Sequence, residues 1–147
     1  MILYLDTSAL IKRYVRETHS AEVSALVESF DLVGTCVLAR VEMAAALTKA
    51  VRQRLVQLDS AQQSWQDFLR HWPSYTRMNV TTTSLDRAAA LAWEHGLRGY
   101  DAMHLAVALI WQESVGSPVT LATFDRELWV AGEKERLPLW PEHITQA

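Results

Sequence analysis

Four short β-prone runs, each followed by helical sequence, constrain this chain more than any other feature. They are Ile2–Asp6 (ILYLD), Leu32–Thr35 (LVGT), Thr76–Val80 (TRMNV) and Pro118–Thr123 (PVTLAT). Between them the sequence predicts helices over about 8–15, with Ser8 as N-cap, and over 20–29, 38–54, 59–72, 84–95 and 101–116. The third is the clearest: Met43, Ala46, Leu47, Ala50 and Val51 repeat at helical spacing. Asp59 with Gln62 three residues on resembles a capping box, Pro73 ends that helix, and Gly96 reads as a C-terminal stop. A short helix follows from Asp125, and the tail around Pro138 and Pro141 reads as irregular. Strands separated by helices, mostly in pairs, predict an α/β domain with a mainly parallel central sheet. No repeat, low-complexity tract or linker interrupts the pattern, so residues 1–147 are expected to form a single domain.

In such sheets ligands gather at the carboxyl ends of the strands. Asp6 ends the first run, where aspartate is depleted and a lone buried charge is costly. Asp125 follows the fourth strand in the same way, in TLATFD. Glu42 lies in the first turn of the third long helix, and Asp101, in GLRGYDAMHLA, begins an almost wholly apolar one. Each of the last three also fits a cap or first-turn acid that complements the helix dipole. Asp6 fits that role less well, because Ser8 reads as the cap. Taken together, four acids at one end of a sheet repel unless a cation neutralises them. Hard carboxylate oxygens suit Mg²⁺ or Mn²⁺.

LYLDTSALIKRY, VLARVEMAAAL, GLRGYDAMHLA and VTLATFDREL resemble, in order and spacing, the four acidic motifs of the PIN domain. More narrowly they resemble the VapC-type toxins of bacterial toxin–antitoxin pairs. The resemblance spans Asp6 to about Leu137 and implies an α/β/α sandwich and a metal-dependent endoribonuclease. It further implies Asp6, Glu42, Asp101 and Asp125 as the catalytic, Mg²⁺-binding quartet, with Mn²⁺ as a substitute. Thr7 and Thr123 would be hydroxyls that steer the carboxylates. A homodimer and a cognate antitoxin covering the acidic groove are implied as well. Ala39 departs from the pattern, standing where the family often has Ser or Thr three residues before the glutamate.

Basic side chains flank these motifs. Lys12, Arg13 and Arg16 follow Asp6, while Arg98 and Arg126 adjoin Asp101 and Asp125; they form either a solvated face or a rim that steers an RNA backbone. His104, three residues after Asp101, reads as packed or supporting rather than as a ligand, and the other four histidines are scattered. Cys36 is the only cysteine, which excludes an internal disulfide and suits a core position. Trp65, Trp72, Trp93 and Trp111 fall on helices and read mostly as core.

A net charge of −3 argues against holding nucleic acid by bulk electrostatics, though not against a site that brings its own cation. The longest apolar run, Leu105–Trp111, is about a third of a membrane helix, so no membrane span is expected. No signal peptide is visible and a cytoplasmic location is expected. Two other uses of an acidic pocket fit poorly. A phosphoacceptor domain needs paired acids after the first strand, and an aspartyl-nucleophile phosphatase needs Asp-x-Asp, where Thr7 and Ser8 stand. A PIN nuclease of RNA processing, or a PIN-like module that binds RNA without cutting it, remain as alternatives to the toxin.

Overall fold

The computed structural model describes residues 1–144. Five parallel strands form one sheet in the order β3-β2-β1-β4-β5. They are β1 (Ile2–Leu5), β2 (Leu32–Cys36), β3 (Thr76–Met78), β4 (Val119–Ala122) and β5 (Leu139–Trp140). The helices are α1 (Thr7–Leu10), α2 (Ser20–Ser29), α3 (Ala39–Arg52), α4 (Leu58–His71), α5 (Thr82–His95), α6 (Gly99–Val115) and α7 (Arg126–Lys134). Among the described residues no helix is long and apolar enough to cross a membrane.

The period-two alternation of β1 divides the core between the two faces of the sheet. Leu3 and Leu5 face a layer built from α1 to α4, with Leu10, Val23, Met43 and Phe68. Tyr4 faces the opposite layer, where α5, α6 and α7 supply Leu91, Leu105, Leu109 and Leu128. The result is the expected α/β/α sandwich. Helix α6 is buried almost continuously from Asp101 to Leu109 because it lies between the sheet and its neighbours. Trp72 and Trp111 are core residues as expected, but Trp93 is 93% exposed on α5. Periodicity places Trp93 on the outer side, and no layer covers that side.

Several helix starts differ from the sequence expectation, each for a local reason. Asp6, not Ser8, caps α1: its carboxylate accepts from the Ala9 amide at 2.9 Å. That helix is one turn long and tightens into a 3₁₀ turn over Ile11–Arg13 instead of running to Val15. Helix α4 begins at Leu58 with Gln57 in the cap position, so Asp59 is a first-turn acid and the capping box does not form. A capping box does form at α5, where Thr81 and Ser84 exchange hydrogen bonds and start the helix at Thr82. The tail contains β5, which the sequence left irregular. Two residues between prolines carry no periodicity, and Pro is tolerated beside an edge strand because its missing N–H faces no partner. The Pro138 carbonyl accepts from the Leu121 amide at 2.8 Å and the Trp140 carbonyl from the Thr123 amide at 3.0 Å.

The sheet and α6 meet closely at Gly34. A β-carbon there would lie 2.8 Å from both the Thr76 carbonyl oxygen and the Trp111 ring. Backbone on one side and a buried indole on the other leave no room to yield. Gly34→Ala is therefore expected to destabilise the fold by about 1–3 kcal/mol, the usual cost of overpacking. A urea unfolding curve with an unchanged midpoint would contradict this contact.

Candidate functional site

Strand order reverses direction between β1 and β4, which is where open parallel sheets form their binding crevice. Asp6 leaves the end of β1, and Thr123, Phe124 and Asp125 leave the end of β4. Asp6 is 2% exposed. Its carboxylate accepts from Thr123 Oγ1 at 2.6 Å, from Ser8 Oγ at 2.7 Å and from the Ala9 amide. Ser8 Oγ also accepts from the Phe124 amide and Thr123 Oγ1 from the Asp125 amide, so the two strand ends are laced together. Burial raises the Asp6 carboxyl above the ordinary carboxylate range, against the pull of the nearby His104 and of these hydroxyl and amide donors.

Asp125 caps α7 through the Leu128 amide at 2.9 Å. Its other oxygen accepts from Arg98 Nη2 at 2.8 Å, and Arg98 Nε donates to Asp101 at 3.0 Å. Asp101 lies in the first turn of α6 but is not its cap, a position that Arg98 holds without a side-chain bond. Burial first, and then the charge of Asp125, raise the Asp101 carboxyl, while Arg98 pulls it down.

Glu42 reaches the same edge from the first turn of α3. With Ala39 at the start of α3 and Leu38 before it, no side chain caps this helix. The glutamate is held instead from across the crevice. Thr7 Oγ1 donates to Glu42 Oε1 at 2.9 Å, and His104 Nε2 lies 2.7 Å from the same oxygen.

Thus Asp6, Glu42, Asp101 and Asp125 gather where the sequence places them, and Thr7 and Thr123 each hold one carboxylate. Of the five basic residues, Arg98 is inside the cluster. Lys12 is engaged by Glu17 and the Thr18 carbonyl and lies over the Phe124 ring, and Arg13 donates to Tyr75. Arg16 and Arg126 are exposed. Two further residues belong to the crevice, Ser8, which the sequence offers only as a helix cap, and Tyr4. A strand tyrosine gives no periodic sign that its hydroxyl has a polar partner.

The pattern of this chain is shared. Residues 3–133 match the PIN domain. The chain belongs to the PIN-domain family. It is 37% identical over 131 residues to Ribonuclease VapC45 of Mycobacterium tuberculosis, covering 86% of each chain. It is 32% identical over 130 residues to Ribonuclease VapC3 of Pyrobaculum aerophilum, covering 87% of this chain and 92% of that one. The solved structure of VapBC2 from Rickettsia felis, bound to a DNA fragment from its promoter, shares the fold. Its TM-score is 0.62 at 14% identity, over 95% of this chain and 97% of that one.

Within this PIN domain the acids are spread around a crevice rather than drawn to one point. Among the described residues, the only three His, Cys, Asp or Glu side chains with ligand atoms all within 4.8 Å of one another are Glu94, His95 and Glu135. They share no member with the quartet. His95, with a side chain 6% exposed, lies 2.8 Å from Glu135 and ties the end of α5 to the segment after α7.

The raised Asp101 carboxyl has a measurable consequence for the metal-free protein. A folded-state value above the unfolded one, near 3.8, makes the folded state bind more protons in that window, so stability falls as pH rises through it. Asp101→Asn keeps the shape and removes the charge. In EDTA its stability relative to wild type should be greatest at neutral pH and shrink as pH falls toward 4, read from paired urea titrations. A difference that grows on acidification would show Asp101 to be held in its charged form by Arg98 instead.

Proposed function

We propose that this PIN-domain protein is a metal-dependent endoribonuclease that hydrolyses RNA phosphodiester bonds, and that it is the toxin of a toxin–antitoxin pair. The observation that carries the reading is the convergence of Asp6, Glu42, Asp101 and Asp125 on the crevice, in a chain 37% identical to a protein named as a ribonuclease. The donor set fits a divalent cation. All four groups are hard oxygen ligands, burial raises two of them, and Arg98 already brings positive charge to a pair. Asp6 and Asp101 would hold Mg²⁺, or Mn²⁺ in its place, with Glu42 and Asp125 completing the set. Bound there, the ion would supply charge neutralisation and Lewis-acid polarisation of a scissile phosphate.

The remaining work falls to the chain's own groups. Thr123, Ser8 and the Ala9 amide fix the Asp6 carboxylate, so its orientation precedes ion binding. Glu42 accepts a proton from the attacking water as general base. Arg98, whose guanidinium presents a planar fork, takes a phosphate oxygen of the RNA. Arg16 and Arg126 steer the backbone toward the crevice, and Lys12 and Arg13 join them by exchanging their present partners. The partner is a cognate antitoxin that places Arg or Lys among the acids and excludes the ion; the fold shared with VapBC2 supports it. A homodimer acting on RNA in the cytoplasm completes the reading.

Metal-stripped protein is expected to leave RNA intact, with cleavage restored by Mg²⁺ or Mn²⁺. Full cleavage without metal would sink the proposal. Asp101→Asn should cut RNA more weakly than wild type by more than the roughly 100-fold typical of residues beyond a metal's direct ligands. It should also melt no lower in EDTA. Wild-type cleavage by this variant would return Asp101 to a first-turn helix residue. Co-expression with the product of an adjacent small gene should restore growth. A complex that still binds Mn²⁺ and cuts RNA would overturn occlusion of the crevice.

A further inference from the structure

Beneath the acids runs a polar chain that the four-carboxylate reading does not use. Tyr4, fully buried on β1, has its hydroxyl 2.6 Å from His104 Nδ1. On the far side of that ring, His104 Nε2 lies 2.7 Å from Glu42 Oε1. The ring is 2% exposed and stands edge-on to Tyr4, with centroids 5.7 Å apart. Neither residue touches solvent where a substrate would bind.

The direction of the chain follows from its buried end. The Tyr4 hydroxyl lies wholly in the core, where its proton has no water to go to and must be given to a protein acceptor. Its side-chain partner among the described residues is His104 Nδ1, which must accept. A bare Nδ1 leaves the ring proton on Nε2, aimed at Glu42 Oε1. A carboxylate there accepts, so both neighbours select the same tautomer. Thr7 Oγ1 donates to that oxygen too, at 2.9 Å. Glu42 Oε2 carries no hydrogen bond among the described residues.

We propose that Tyr4 and His104 are positioning residues, which fix the Nε2–H tautomer and hold Glu42 by Oε1 so that Oε2 is the oxygen offered to the reaction. The inference rests on the nuclease reading of the crevice. A histidine that only filled space would not care which nitrogen carried its proton. A histidine that aims a carboxylate does.

The test begins with metal-free, full-length protein and the ¹⁵N shifts of the His104 ring. The expected result is a single neutral tautomer with the proton on Nε2; a proton on Nδ1 overturns the proposal. Tyr4→Phe leaves Glu42 to select the tautomer alone but frees the far side of the ring, so kcat should fall several-fold with KM little changed, and a wild-type kcat removes Tyr4 from the device. With Mg²⁺ present, His104→Leu should lower kcat by about 10–100-fold with KM little changed. His104→Gln, whose amide N–H reaches the same oxygen, should recover most of that loss. Equal losses in both variants, or a change confined to KM, would reduce His104 to a packing residue. Should His104→Leu not fold, the wild-type ring tautomer and the kcat of Tyr4→Phe and His104→Gln decide the matter. Wild-type protein that cuts no RNA with any metal would defeat the nuclease reading, while the ring tautomer still decides the relay.

Discussion

A carboxylate at the carboxyl end of a central, fully buried strand must find donors or lose its charge, and the crevice is organised around this constraint. Asp6 meets it with two hydroxyls and an amide, and those donors come from both sides of the strand reversal. Ser8 is in turn held by the Phe124 amide of the opposite strand end, and Thr123 by the Asp125 amide of its own. Moving β4 relative to β1 would therefore break the Thr123 bond to Asp6 and the Phe124 hold on Ser8. The geometry of the crevice and the register of the sheet are one structure at this point, since Leu5 pairs with Ala122 immediately before Asp6 and Thr123.

The same acids act as helix caps and as site residues, and the two roles do not compete. One oxygen of Asp6 caps α1 and one oxygen of Asp125 caps α7. Each keeps a second oxygen for a partner across the crevice. A cap fixes a carboxylate at a helix N-terminus, where the dipole favours its charge. That makes capping a means of orientation. Capping is what the sequence offers for Asp125 but assigns to Ser8 in place of Asp6, and in both aspartates it coexists with a place in the crevice.

Much of this was legible in the sequence because it depends on spacing. The strand–helix alternation gave four of the five strands, and the order of the four acids gave the crevice. Boundaries set by side-chain caps were less legible. Asp6 and Ser8 are both good caps, and only the depth of the strand end decides between them. The two-residue strand at Leu139–Trp140 has no period to read, and it exists because β4 presents an open edge. The hold on Glu42 was hidden for a different reason. The missing hydroxyl at position 39 suggested a loose helix start, while the stabilising partners lie 35 and 62 residues away in the chain.

The crevice divides into two halves by the way charge is compensated. Asp6 is held by hydroxyls and an amide, and Glu42 by a hydroxyl and the His104 ring. Asp101 and Asp125 are bridged by Arg98, whose side chain is 73% exposed. An exposed ion pair is worth only about 0–1 kcal/mol, because solvent screens it and the long side chain loses freedom. A divalent cation, a phosphate or a partner's arginine that engages this half displaces a weak contact. Compensation of Asp101 and Asp125 is therefore exposed and exchangeable, whereas that of Asp6 and Glu42 is built into the two strand ends and the buried His104.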